Sequence, residues 1–138
     1  MRIDVDHLGF YYHRKKPILH NISLTLEGTD PVAIIGQNGA GKTTLVKQFN
    51  RILTPTSGEV RIDGKATISQ STAQWSRQVG YVFQNPNDQL FLESVRKEFE
   101  FGPKEIGMSQ RIIKERLIKV SKLVGLETEL DTHPFDLT

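Results

Sequence analysis

The chain has 138 residues, enough for one domain with a real core, and eighteen basic against sixteen acidic side chains leave a net charge of only +2. That balance is too weak to point to nucleic acid or a membrane surface, and the lack of cysteine excludes disulfide and thiolate chemistry. The N-terminal "MRIDVDHLGF" has no signal-peptide run, and no stretch approaches the roughly 18 apolar residues of a membrane-spanning helix. The expectation is a soluble chain to which the cytosol is as well suited as any compartment.

Residues 3–8, "IDVDHL", alternate apolar and charged side chains, as a half-buried strand does. An aromatic pair, Tyr11 and Tyr12, leads into a basic turn over 14–16. "NISLTLEG" alternates again and sets Ile22, Leu24 and Leu26 on one face, so an antiparallel pair of strands is expected. "PVAIIG" at 31–36 is a continuous apolar run, the pattern of a strand buried on both faces. Leu45, Val46, Phe49 and Ile52 then recur at helical spacing.

Further on, "TPTSGEVRIDGK" reads as a turn, a short strand carrying Val60 and Ile62, and an Asp63-Gly64 turn. "SQSTAQWSRQ" is one or two helical turns, and Val79 to Phe83 is a β-prone run ending on Gln84. "SVRKEFEFG" is helical, as is "SQRIIKERLIKVSKLVG". In the latter, Ile112, Ile113, Leu117, Val120, Leu123 and Val124 are expected on one side, between a Ser109 cap and a Gly125 stop.

The strongest chemical signal is "GQNGAGKT" at 36–43, a complete G-x-x-x-x-G-K-[ST] sequence. A phosphate needs many donors at close range. Gly36, Gly39 and Gly41, with Asn38 and Ala40 between them, let the backbone wrap so that successive N–H groups face one anion. The following helix adds its positive end. Lys42 reaches β- and γ-phosphates, Thr43 ligates Mg²⁺, and Thr44 donates to an α-phosphate. A chance glycine-rich turn would not sit between an apolar strand and a helix.

Together "LGFYY", the loop at 36–43, "PTSGEVRIDGK" and "VFQNPNDQLF" resemble the N-terminal part of an ATP-binding cassette (ABC) ATPase. "QNPNDQLF" and "EFGPKEIGMS" are similar to the energy-coupling-factor group, which powers uptake of vitamins and of cobalt or nickel ions. The resemblance covers essentially the whole chain. It implies an α/β fold: a P-loop NTPase core, an antiparallel β subdomain and the start of a helical subdomain. Residues 1–138 would be the N-terminal part of one nucleotide-binding domain, with the P-loop at 36–43, a Gln loop at 84–91 and a helical segment at about 94–125.

ATP and Mg²⁺ are the implied cofactors. The resemblance gives Tyr12 the stack on adenine, for which only a flat ring face is needed. It gives Gln84 the task of ligating Mg²⁺, touching the attacking water and sensing the γ-phosphate, so that Lys42 and Gln84 are the catalytic pair. Implied partners are the transmembrane subunits of an importer and a second ABC ATPase domain, with no nucleic acid. The implied place is the cytoplasmic face of the cell membrane, as a peripheral subunit.

Other polar residues have plainer readings. His7, His13, His20 and His133 lack ligand-like spacing, and Asp63 suits a turn. Trp75 is a core or a surface aromatic, and Asp88 and Gln89 either order their loop or meet a partner. The family's LSGGQ-type signature, the strand ending in Asp-Glu and the switch histidine do not occur in the 138 residues, although Leu137 and Thr138 match the signature's first two positions. The expectation is therefore an apparently truncated domain, inactive alone. The rivals are a P-loop kinase or GTPase, a non-transport ABC ATPase acting on DNA or ribosomes, and a nucleotide-binding module without hydrolysis.

Overall fold

The structure, a computed structural model, describes residues 1–13 and 16–137. Arg14 and Lys15 of the predicted basic turn lie outside the described residues, as does Thr138. The chain divides into two compact units, residues 1–81 and 82–138. In the first, β1 (Arg2–His13) and β2 (Lys16–Glu27) form the predicted antiparallel pair. β3 (Ser57–Ile62) lies on the other side of β1, and β4 (Lys65–Ala66) follows through the Asp63-Gly64 turn. Both turn residues have positive φ, 46° and 78°, as a two-residue hairpin turn of this hand requires. The sheet order is β2-β1-β3-β4.

β1 does not keep one alternation from end to end. Ile3 and Val5 are buried, and then Leu8 and Phe10 are. The buried positions pass from odd to even because the ladder slips between Val5 and Leu8 on the β2 side and between Asp6 and Gly9 on the β3 side. His7 sits at the slip with φ +48°, and its N–H donates to Ser23 Oγ at 3.0 Å. Gly58 faces the same point. A Cβ there would lie 2.3 Å from the carbonyl oxygens of Asp6 and His7, so only glycine lets β3 come this close.

The apolar sheet face packs with Phe49 and Trp75 into one core, which also holds Leu19, Val60 and Ile62. Phe49 comes from α1 (Lys42–Phe49) and Trp75 from α2 (Thr72–Trp75), whose start carries a capping box between Ser71 and Gln74. The structure resolves Trp75 as a core residue: it is fully buried, and its Nε1 donates to the Thr67 carbonyl at 2.7 Å. α1 stops earlier than its apolar spacing predicts. Arg51 is left-handed at φ +60°, and Ile52, outside the helix, donates its N–H to Asn50 Oδ1 at 3.2 Å.

Two predicted strands do not form. Residues 31–36 and 79–83 belong to no strand among the described residues, and Ile35 is 92% and Val82 83% exposed. Apolar, β-branched residues make a segment able to become a strand, but a ladder partner decides whether it does. The four strands of the sheet pair only with one another.

The second unit holds α3 (Val95–Glu105) and α4 (Gln110–Leu123). The first turn of α3 is tied to the segment before the C-terminus. The Val95 and Arg96 N–H groups donate to the carbonyls of Thr132 and Leu130, and the Arg96 guanidinium grips Asp131 through two bonds of 2.9 and 3.1 Å. Those bonds hold the Asp131 carboxyl below the usual carboxylate range. On α4 the buried seam is Ile113, Leu117 and Ser121, strictly four apart. Val120, Leu123 and Val124, predicted on that side, are exposed at the C-terminal end of the helix.

Gly58→Ala should destabilise the first unit by about 2 kcal/mol or more, since the obstacle is backbone rather than a side chain that could move. Urea unfolding followed through the fluorescence of Trp75 measures this. An unchanged midpoint would mean that the slip in β1 does not depend on Gly58.

Candidate functional site

Residues 36–44 join the exposed segment 31–36 to α1, and the helix begins on a glycine. Gly41 is its N-cap at φ +90°, with no side-chain bond to the first turn, and that turn contains no acidic residue. The positive helix end is therefore neither capped nor neutralised by the chain itself, which is the condition for receiving an anion. Ala40 N donates to the Gln37 carbonyl at 3.2 Å and Leu45 N to that of Gly41 at 2.8 Å, so the loop closes tightly onto the helix. Gly39, at φ +82°, has nothing within 4 Å of where a Cβ would stand.

Lys42 lies back along this loop. Its Nζ donates to the carbonyls of Gly36 at 2.7 Å and Gln37 at 2.8 Å. The bonds use two of three ammonium protons and hold the positive charge against the backbone of the loop. Thr43 is exposed in the first turn, and Thr44 beside it is buried. Gly36, Asn38, Gly39, Ala40, Gly41, Lys42, Thr43 and Thr44 are thus gathered at one loop and one helix start.

The β1–β2 hairpin supports that loop from the side. A Cβ on Gly41 would come within 3.0 Å of Leu19 Cδ2 and 3.2 Å of Ile18 Cγ2, so β2 and the loop meet at van der Waals distance. Tyr12 belongs to the same side of the molecule. Its ring meets Phe10 edge to face at 4.9 Å, and its hydroxyl lies 3.4 Å from Thr44 Oγ1. Tyr12 as a whole is 54% exposed. The hydroxyl contact is not readable from the sequence, in which Tyr12 needs only its flat face. The nearest signal is the two-residue spacing of Phe10 and Tyr12, which lets the two rings meet.

Gln84 lies in the second unit, exposed at a bend. The loop after it is ordered by its own side chains. Asn85 donates to Asp88 Oδ1 at 3.0 Å and accepts from Asn87 N at 3.2 Å, while Gln89 Oε1 accepts from Phe83 N at 3.3 Å. Asp88 and Gln89 therefore have a loop-ordering role. Glu98 of α3 closes the far end by accepting from the N–H groups of Phe91 and Leu92, both at 2.6 Å. Its place seven residues beyond Phe91 gives no local motif, so the sequence does not reveal it.

Gly41→Ala should cost about 1–2 kcal/mol, the penalty for an L-residue in left-handed backbone, together with a shift of Leu19. Thermal unfolding should show the loss. A variant as stable as the parent would mean that the loop is not pinned in this conformation by β2.

Comparison with known proteins adds the lineage. The ABC transporter family model matches residues 19–137. A Pyrococcus furiosus protein assigned as an ABC transporter ATP-binding protein is 47% identical over 137 residues, which is 99% of this chain and 52% of the relative. The energy-coupling factor transporter ATP-binding protein EcfA2 of Clostridium perfringens is 39% identical over 147 residues, covering 100% of this chain and 51% of the relative. Among solved structures, CbiO1 of Clostridium perfringens, described as part of the ABC transporter complex CbiONQ, is 30% identical. It superposes with a TM-score of 0.83 over 99% of this chain and 55% of that one. The chain thus spans about half the length of the curated relatives it matches, and its fold is that of the N-terminal part of an ABC ATPase. The chain belongs to the ABC transporter family.

Proposed function

We propose that the loop at 36–44 binds the phosphates of ATP, and that the whole protein hydrolyses ATP as the motor subunit of an energy-coupling-factor type importer. The observation that carries this reading is the uncapped start of α1 with Lys42 lying along the loop before it. The likeness to EcfA2 and to the cobalt import ATP-binding protein CbiO of Syntrophus aciditrophicus, 40% identical over 91% of this chain, supports the transport role. A vitamin or a metal ion would be the cargo. The partners would be transmembrane subunits and a second ABC ATPase domain, with the protein peripheral at the cytoplasmic face of the membrane. No helix among the described residues is long and apolar enough to cross a membrane.

The residues would divide the work by chemistry. Backbone N–H groups from Gly39 to Lys42 would hold the β-phosphate, and the Lys42 ammonium would exchange part of its bonding to the Gly36 and Gln37 carbonyls for β- and γ-phosphate oxygens. Thr44 would donate to the α-phosphate, and Tyr12 would take the adenine on a face of its ring. The donor set fits Mg²⁺, which favours oxygen ligands, needs few of them from protein and takes others from phosphates and water. Thr43 offers an exposed hydroxyl, and we assign Gln84 to the same ion by the family resemblance. When bound, Mg²⁺ offsets charge on the phosphate oxygens.

In the full-length protein, Lys42→Ala should abolish detectable ATP hydrolysis with the fold intact, and near-normal turnover would reject the site. Gln84→Ala should spare ATP binding more than hydrolysis. The two are separated by measuring nucleotide affinity and single-turnover rate on one preparation. Poor binding with a full rate per bound nucleotide would remove Gln84 from the reaction. Residues 1–138 alone should bind Mg·ATP weakly at most and show no hydrolysis above the Lys42→Ala background.

A further inference from the structure

We infer that Tyr12 acts on the phosphate end of the nucleotide site as well as on the base: its hydroxyl positions the hydroxyl of Thr44. The inference rests on the reading of this loop as a nucleotide site and goes beyond it, because a stacking aromatic needs no hydroxyl. The two oxygens lie 3.4 Å apart, with Tyr12 on the exposed end of β1 and Thr44 buried in the first turn of α1. Their sequence separation is 32, so only the fold brings them together.

The chemistry gives the contact a direction. Either hydroxyl can donate across this contact, and because a phenol is a stronger acid than an alcohol we assign Tyr12 O–H as the donor and Thr44 Oγ1 as the acceptor. Thr44 then cannot spend its own proton on Tyr12, and that proton is left for an acceptor at the helix start. A hydroxyl that already accepts a bond is also a better donor, because the two bonds polarise one another. The relay from Tyr12 to Thr44 to a phosphate oxygen requires both partners to be held. Tyr12 is held by its edge-to-face contact with Phe10, and the loop beside Thr44 by the approach of Gly41 to Leu19. Tyr12 is on this account a positioning residue for the phosphate end.

A double-mutant cycle in the full-length protein tests it, with ADP and the base-free ligand tripolyphosphate as probes. Tyr12→Phe keeps the ring and removes one oxygen, and Thr44→Val keeps the shape of a buried side chain. Each should weaken both ligands by about threefold to tenfold, the scale of one net hydrogen bond. The double variant should be no weaker than Thr44→Val alone. Tyr12→Ala should weaken ADP further than Tyr12→Phe does, while leaving tripolyphosphate at the Phe level.

Tyr12→Phe binding both ligands like the parent would overturn the inference and leave stacking intact. Losses that multiply in the double variant would also overturn it, since the residues would then act independently. A wild-type affinity for tripolyphosphate in Lys42→Ala would instead remove the phosphate site itself.

Discussion

The slip in β1 at Asp6 and His7 sets which residues of the strand that carries the rest of the sheet face the core. A strand shows alternate residues to one face, so one extra residue exchanges the faces for everything after it. Before the slip, Ile3 and Val5 point into the core; after it, Leu8 and Phe10 do. Gly58 makes this possible, because β3 must pass within a distance of the Asp6 and His7 carbonyls that no Cβ can occupy. A glycine in one strand thus permits the change of face in its neighbour.

The phosphate loop works by a similar economy. Most helices close their first turn with a serine, threonine or aspartate, and α2 and α3 do so with Ser71 and Ser94. α1 begins instead on a left-handed glycine that offers its first N–H groups no side-chain acceptor. The missing cap lowers the stability of an isolated helix, and packing of Phe49 into the core offsets the loss. Lys42 bonded to carbonyls of the loop adds a positive charge where the helix end is already positive. The repulsion between the two is tolerable because both are near solvent, and it is relieved by any anion that binds.

How far the sequence discloses this depends on whether the decisive contact is local. The loop at 36–43 is legible because its chemistry lies in eight consecutive residues, and the hairpin and the Asp63-Gly64 turn are legible from period and turn chemistry. Trp75 is ambiguous as a sequence because its burial depends on the Thr67 carbonyl and the sheet, neither implied by its neighbours. Tyr12 with Thr44, Gly41 with Leu19 and Glu98 with the Phe91 and Leu92 amides share this feature. Each is a contact between elements, invisible to any pattern shorter than the fold.

The segments 31–36 and 79–83 mark the same boundary from the other side. Both have strand composition, both are strongly exposed in part, and neither forms a strand among the described residues. β-propensity describes how well side chains suit a pleated, covered surface, so it has no force until a neighbour supplies that surface. The antiparallel sheet forms because its strands are joined by short connections or meet across the bulged β1 within one unit. A strand buried on both faces, as the apolar run of 31–36 suits, needs neighbours on either side and covers above and below. Such a strand is the last element to become legible, since almost everything that stabilises it lies elsewhere in the chain. The phosphate loop, which starts at the end of that run, keeps its closed shape here because α1 and the hairpin hold it from the other end.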